Sequence, residues 1–278
     1  YQETMKEKLE GKKETIKRVS ITQHQSTTNN IKWYGTAENM LVGMIYIREK
    51  YKNICIPLKK FFNASMSDLC IRYVCNIDSK KKKTAKKTDY KLYFPSLKEN
   101  DTEGKDFKEE LNNCFKNGKN RFAMLPIFLY WYECDRSDAH FNFYIIDHKM
   151  KTIERFDPYG VMKWESYETY DWLDKSMKAY LKKNKMDYTY FSPEEYCPVV
   201  GLQHKEEGER EKGVTKHKDS DSDGYCGAWC LFYTEMRLKN PNMKKKELLS
   251  KITKQLKENP KSFKSFIKTY STFVLKMK

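Results

Sequence analysis

HFNFYIIDHKMKTIERFDPYG, residues 140–160, reads as two strands joined by a tight turn: HFNFYIID, then HKMK, then TIERFDPYG. Aromatic and β-branched residues fill both arms, and polar residues gather at the turn. A turn centred on His148–Met150 sets His140 opposite Asp157, Asn142 opposite Arg155 and Tyr144 opposite Ile153. Directly opposed residues on one face have Cβ atoms about 4.5–5.5 Å apart. A histidine and a carboxylate at that separation can hydrogen-bond, which fixes the imidazole tautomer and stabilises the imidazolium. Asp147 is the competing carboxylate, but it sits at the turn with the wrong strand parity.

Upstream of this hairpin, FAMLPIFLYW (122–131) is an apolar run of strand length. Downstream, Trp164, Tyr167, Tyr170, Leu173, Met177, Tyr180 and Leu181 recur at helical spacing, so 164–183 reads as a helix with a core face. MDYTYF and YCPVVGLQ read as further strand. Residues 204–225 are polar, and a largely apolar helix, CGAWCLFYTEMRL, follows from Cys226. Asp221, Ser222 and Asp223 offer N-caps for it. Cys226 then falls in the first turn, where the helix dipole and unpaired N–H groups favour a thiolate. Gly224 and Gly227 flank it and leave room for a substrate backbone, whereas Cys230, one turn deeper among Trp229, Leu231 and Phe232, reads as a core thiol. Two Lys-rich helices, separated at Asn259-Pro260, close an α+β pattern with one buried helix.

The first half is less specific. Residues 1–32 read as a basic flexible tail and 33–118 as an accessory segment packing on the core, with helices at AENMLVGMIYIREKY and 106–118. Lys80–Lys87 reads as a solvated charge run, and 119–278 as the main domain. Net charge is +16, with 39% hydrophobic and 14% aromatic residues. That composition supports a core and excludes wholesale disorder. The basic surface allows nonspecific nucleic-acid contact, yet no nucleic-acid-binding motif accompanies it. The cysteines are scattered, and Cys55 and Cys70 lie inside apolar runs, so the set reads as reduced, buried thiols in an intracellular protein. Zinc spacing is absent, and His24, His148, His204 and His217 read as solvated, so the sequence calls for no metal or cofactor. Phe122–Tyr132 is too short for a membrane span. The chain opens on Tyr1 rather than Met, so its start reads as trimmed, and no signal peptide precedes the fold.

Strand, His, hairpin, Asp, helix, strand, Gln, then Cys-Gly at a helix start: in this order the chain resembles the SUMO-protease (Ulp) type of papain-like cysteine protease, relatives of the adenovirus protease. The resemblance covers roughly 119–240, through FAMLPIFL, 140–160, the 164–183 helix, CPVVGLQ and DGYCGAWCLFYTEMRL, whose wording looks most like versions from large DNA viruses. It implies a central mixed sheet against a buried helix that begins at the catalytic cysteine, with flanking helices. It implies Cys226 as nucleophile, His140 as base, Asp157 as its orienter and Gln203 as oxyanion donor. It also implies a glycine-selective groove, beside which Gly224 and Gly227 leave room and for which Phe141 and Trp229 are candidates for wall or core, with core the favoured role for Trp229. Two departures stand out: residues 204–225 intervene between Gln203 and Cys226, with Ser220 at the usual Gln position, and Phe141 replaces the Trp that usually follows the His. A loop of that length costs only modestly in closure entropy.

The implied activity is cleavage of Gly-X peptide or isopeptide bonds in a protein substrate, either a viral polyprotein or a SUMO- or ubiquitin-like conjugate. The viral wording favours the polyprotein and the host cytoplasm, virion or viral factory. Two alternatives stay open: acetyl transfer by the same Cys-His-acid set, and a catalytically inactive basic binding protein on the same fold.

Overall fold

The protein is seen in a computed structural model that describes residues 32–58, 65–75, 90–96, 101–133, 136–161, 167–211 and 224–276. The tail up to residue 31, the 80–87 lysine run and residues 212–223 of the polar insertion lie outside them. In chain order, helix α1 (Ala37–Lys50) leads to strand β1 (Ile54–Cys55), a short helix α2 (Met66–Leu69), and strands β2 (Ile71–Cys75) and β3 (Tyr90–Tyr93). Helix α3 (Lys105–Phe115) precedes strands β4 (Phe122–Glu133), β5 (Arg136–Asp147) and β6 (Thr152–Phe156). Then come α4 (Tyr167–Lys183), β7 (Thr189–Phe191), α5 (Pro193–Tyr196), α6 (Leu202–Glu211), α7 (Cys226–Lys239), α8 (Lys245–Glu258) and α9 (Phe263–Lys276).

The fold is α+β around one mixed sheet. Its order is β3-β2-β4-β5-β6-β7, with β1 alongside β4. The apolar run of the sequence is its axis: β4 pairs antiparallel with β5 and parallel with both β1 and β2. Pro126, which has no N–H to donate, falls between the residues that pair β1 (Phe122, Ala123) and those that pair β2 (Ile127 onward). The stretch 33–118 thus does more than pack on the domain, since it supplies three of the seven strands.

Helix α7 is enclosed on every side, with Cys226 to Leu238 all buried, and its charged Glu235 and Arg237 are paired with Lys50 and Glu154. Trp229, Leu231 and Tyr233 are wholly removed from solvent, each contributing roughly 1.5–3 kcal/mol of transfer energy on the aliphatic and aromatic scale. Helix α1, whose first turn is capped by Thr36 Oγ1 accepting from the Asn39 N–H at 3.2 Å, lies against it. A Cβ on Gly43 would stand 2.2 Å from Leu231 Cδ1, and one on Gly227 would stand 2.4 Å from Met40 Sδ. Those two glycines set the approach of the helices. On another side, Phe266 of α9 lies on Trp229 and Phe232.

Three local expectations change. Residues 196–203 form no strand: a capping box of Ser192 and Glu195 with Pro193 behind it starts α5, and α6 begins at Leu202. The insertion therefore opens as a helix rather than as a loop. Cys55 and Cys114 are joined as a disulfide, with Cα atoms 5.7 Å apart, where the sequence suggested reduced thiols. The pairing links β1 to the end of α3. Cys70, Cys197, Cys226 and Cys230 carry free thiols.

Candidate active site

The β5–β6 hairpin carries the histidine and the acid, in a register two residues from the one expected. Phe143 faces Phe156, Tyr144 faces Arg155 and Asp147 faces Thr152. The turn is the cause. Asp147 Oδ1 accepts from the N–H groups of Lys149 and Met150, so the reversal starts directly after Asp147, and Lys151 closes it in a left-handed conformation (φ 52°). Arg121 holds the same carboxylate at 2.8 Å, which occupies the competing acid. A shift of two preserves strand parity, so His140 and the side on which it lies are unchanged. The ladder ends at Phe156, and the chain turns through Asp157 to Gly160, where the Gly160 N–H donates to the Asp157 carbonyl.

That turn returns the carboxylate to the histidine. His140 Nε2 lies 2.9 Å from Asp157 Oδ1, with both groups buried. The same oxygen accepts the Tyr159 N–H at 2.9 Å, and Oδ2 lies 3.6 Å from Arg155 Nη1. Arg155 is itself fixed by two bonds to Asp174, at 2.7 and 2.8 Å, and by one to Asn142 Oδ1. Burial disfavours the His140 imidazolium, but the charge and hydrogen bond of Asp157, with a hydrogen bond to Cys226, outweigh it and raise its pKa to about 10. Burial likewise works against the Asp157 carboxylate, and His140 and Arg155 overcome it to hold its pKa below the usual range. With Nε2 committed to Asp157, Nδ1 is the nitrogen left for the Cys226 thiol.

Cys226 is the first residue of α7, buried at 5% exposure. Its backbone N–H is among the first four of the helix and has no intrahelical acceptor. The N-cap is Tyr225, with no side-chain cap, in place of the expected Asp221–Asp223, which lie outside the described residues. Directly before it, Gly224 has φ +106° and open space where a Cβ would be. Its carbonyl accepts the Trp33 indole N–H at 3.2 Å, and Gly35 lies against that oxygen. Cys230 is a different thiol: burial pushes its pKa well up, and its Sγ donates to the Phe141 carbonyl.

No protein-family model matches the chain. A putative ankyrin repeat protein, L371, of Acanthamoeba polyphaga mimivirus is 24% identical over 176 residues, or 60% of this chain. The chain spans 22% of that relative's length. Among solved structures, the SUMO protease Ulp1 with its catalytic cysteine oxidised to a sulfenic acid is 12% identical. That alignment covers 89% of this chain and 80% of that one, with a TM-score of 0.34. The Chlamydia trachomatis effector Cdu1 bound to ubiquitin is 12% identical over 88% and 91% of the two chains, with a TM-score of 0.39. These likenesses are distant. The site stands on its own geometry.

The other residues singled out by sequence are placed as follows. Gln203 is in the first turn of α6, not at a strand end. Its Nε2 donates to Glu207 Oε1 at 3.2 Å, and its Oε1 is buried with no hydrogen-bond partner among the described residues. It reaches the site region because two loops are laced together: Gly201 N–H to Tyr159 O, Gln203 N–H to Pro158 O, and Val161 N–H to Pro198 O. Phe141 is buried against Phe128. Trp229 is fully buried, its indole N–H on Glu206, and Gly227 is enclosed by Met40 and Trp33. The space that Gly227 leaves is taken by helix α1, so of the two glycines only Gly224 borders open space.

Sequence reasoning passed over Trp33, Tyr159 and Glu207, and named Arg155 only as the residue opposite Asn142. The Tyr159 ring lies 4.7 Å from that of His140, and its phenol donates to Glu207 at 2.5 Å. Asp-Pro-Tyr-Gly was legible as a turn, but its contact with a helix 48 positions away was not. Among the described residues no helix is long and apolar enough to cross a membrane.

Proposed function

We propose that this chain is a cysteine peptidase of the papain-like, Ulp-type architecture, with Cys226 as nucleophile, His140 as acid–base and Asp157 as orienter. One observation carries the reading: a free cysteine at the start of a buried helix neighbours, and helps to raise the pKa of, a histidine whose Nε2 is fixed by a buried carboxylate. His140 Nδ1 takes the thiol proton, and the thiolate attacks a substrate carbonyl carbon. The Cys226 backbone N–H, left without an intrahelical acceptor in the first turn, receives the resulting oxyanion. Collapse expels the amine, which takes the proton from Nδ1, and water, deprotonated by the same nitrogen, cleaves the thioester. Gln203, one of whose two amide N–H donors is held by Glu207, supplies a second oxyanion donor with the other.

The open space at Gly224, beside the nucleophile and under the Trp33–Gly35 segment, supports entry of a slender substrate strand with glycine before the scissile bond. Gly-X bonds of a polyprotein and the C-terminal Gly-Gly of a ubiquitin-like modifier both meet that requirement. Ubiquitin and SUMO, named with the two solved structures above, supply the probes. Ubiquitin, SUMO and a short Gly-Gly peptide, each ending in a coumarin amide, are incubated with the protein. Release from at least one, lost by roughly 10³-fold or more in Cys226→Ala and in His140→Ala, is expected. Absence of release from all three would sink the peptidase reading.

A further inference from the structure

Three groups outside the Cys–His–Asp set converge beside it. The Tyr159 ring lies over the His140 imidazole, with centroids 4.7 Å apart and planes inclined at 48°. That is within the roughly 6 Å at which a cation is attracted by the face of an aromatic ring. The ring is held at both ends. Its backbone N–H donates to Asp157 Oδ1, and its phenol donates to Glu207 Oε1 at 2.5 Å. The same Oε1 accepts the Gln203 amide at 3.2 Å, so one carboxylate from helix α6 grips both the cover of the imidazole and the amide beside it. Glu206, the neighbouring carboxylate, faces away to Lys264 and Trp229.

We propose that Tyr159 is a positioning residue of this site, its π face held over the His140 imidazolium by Glu207; the proposal rests on the peptidase reading above. The arrangement has two consequences. The ring shields one face of the imidazole from water while its quadrupole favours the protonated form. The phenol-to-carboxylate bond adds negative charge to the ring and fixes its tilt, so α6, the helix that opens the insertion, reaches the nucleophile through Tyr159 and His140. The charged and titratable groups that face His140 are then Asp157 from beyond β6, Cys226 from α7, and Tyr159 itself. Arg155 and Glu207 act one step back.

The test is the rate at which iodoacetamide alkylates Cys226 in the full chain, followed by intact mass between about pH 5 and 9. Cys226→Ala serves as the blank for the other thiols. Displacement of iodide by the Cys226 sulfur needs no substrate, so the readout isolates the Cys226–His140 pair from substrate binding. Tyr159→Leu should slow alkylation near pH 6 by about 2- to 30-fold and move the profile alkaline, the range a cation–π contact spans. Tyr159→Phe, which keeps the ring, should lose less. Glu207→Ala should match Tyr159→Phe, and Glu207→Gln, which retains an oxygen acceptor, should restore at least half of the parent rate. A leucine variant with the parent's profile overturns the proposal. Should that variant not fold, equal rates in Tyr159→Phe, Glu207→Ala and Glu207→Gln overturn it instead. A parent whose Cys226 reacts no faster than free cysteine at any pH removes the peptidase reading itself, whatever the variants do.

Discussion

Replacing Gly201 by alanine adds one methyl group at the seam between the Asp157–Gly160 turn and the segment leading to Gln203. The new Cβ would lie 2.2 Å from the Tyr159 carbonyl carbon, 2.3 Å from Pro158 O and 2.4 Å from Gly160 N. All three are backbone atoms, so no side chain can swing aside. Ordinary contact begins near 3.4 Å, and the two loops must part by about 1 Å to reach it. That movement strains the Gly201-to-Tyr159 and Gln203-to-Pro158 hydrogen bonds, now 2.8 and 2.9 Å. Overpacking costs about 1–3 kcal/mol, and weakening two bonds adds about 1 kcal/mol. The melting temperature should fall by about 5–15 °C. Asp157 and Tyr159 ride on the displaced turn, and a 1 Å misplacement costs on the order of 100-fold in rate. Thermal melting and the second-order rate of Cys226 labelling by a Gly-Gly probe, both below the new melting point, measure the two effects. Gly208→Ala is the control: it lies in α6 with nothing within 4 Å of the added methyl, and should gain up to about 1 kcal/mol at unchanged rate. A Gly201→Ala variant that melts and labels like the parent would refute the claim that this seam positions the acid.

Asp157→Asn removes the charge that lifts His140 against its burial, so the imidazole pKa drops from about 10, and turnover at neutral pH should fall by roughly 10³- to 10⁴-fold. The sign of the stability effect follows from the two shifts. His140, raised in the fold, stabilises fully below pH 6.5 and loses that gain as pH climbs toward about 10. Asp157, lowered in the fold, stabilises above its ordinary 3.8 and loses the gain as pH falls through its lower folded value. The melting-temperature gap between parent and Asp157→Asn should therefore be widest between about pH 4 and 6.5 and narrow toward pH 10. Arg155→Met strips the buried Asp174 carboxylate of its cation and leaves Asp157 to His140 alone, and urea unfolding should register a loss of about 3–5 kcal/mol. Reducing Cys55–Cys114, which spans 59 positions, or replacing both cysteines by serine, should cost up to about 4 kcal/mol on the chain-entropy model, read as a dithiothreitol-dependent drop in melting temperature.

What the sequence made legible was local. His140 and Asp157 could be placed on one hairpin because strand parity survives a register error of two, but the turn beyond Phe156 that closes their contact, and the Asp147 side chain that set the register, are features periodicity does not report. Cys226 at a helix start was readable from the switch of polar insertion to apolar run. The contacts that complete the surroundings are long-range. Trp33 meets Gly224 across 191 positions, so a lone tryptophan in a polar link carried no signal of its destination. Helix α6 was hidden because LQHKEEGERE lacks an apolar face. Its inner side is anchored instead by Glu206 on Trp229 and Lys264, polar contacts that a hydrophobic pattern passes over. Gly227 showed the converse, since a glycine beside a nucleophile suggested room for substrate and the room is filled by Met40.

The most direct measurement is the mass of the protein after incubation with ubiquitin or SUMO carrying a thiol-reactive group at its C-terminal Gly-Gly, in parent, Cys226→Ala and Cys230→Ala. A single adduct is expected in the parent, lost in Cys226→Ala and retained in Cys230→Ala, because the parent's Cys230 thiol is buried and held on the Phe141 carbonyl. An adduct that persists in Cys226→Ala, or that maps to any other cysteine, would contradict the assignment of Cys226 as nucleophile.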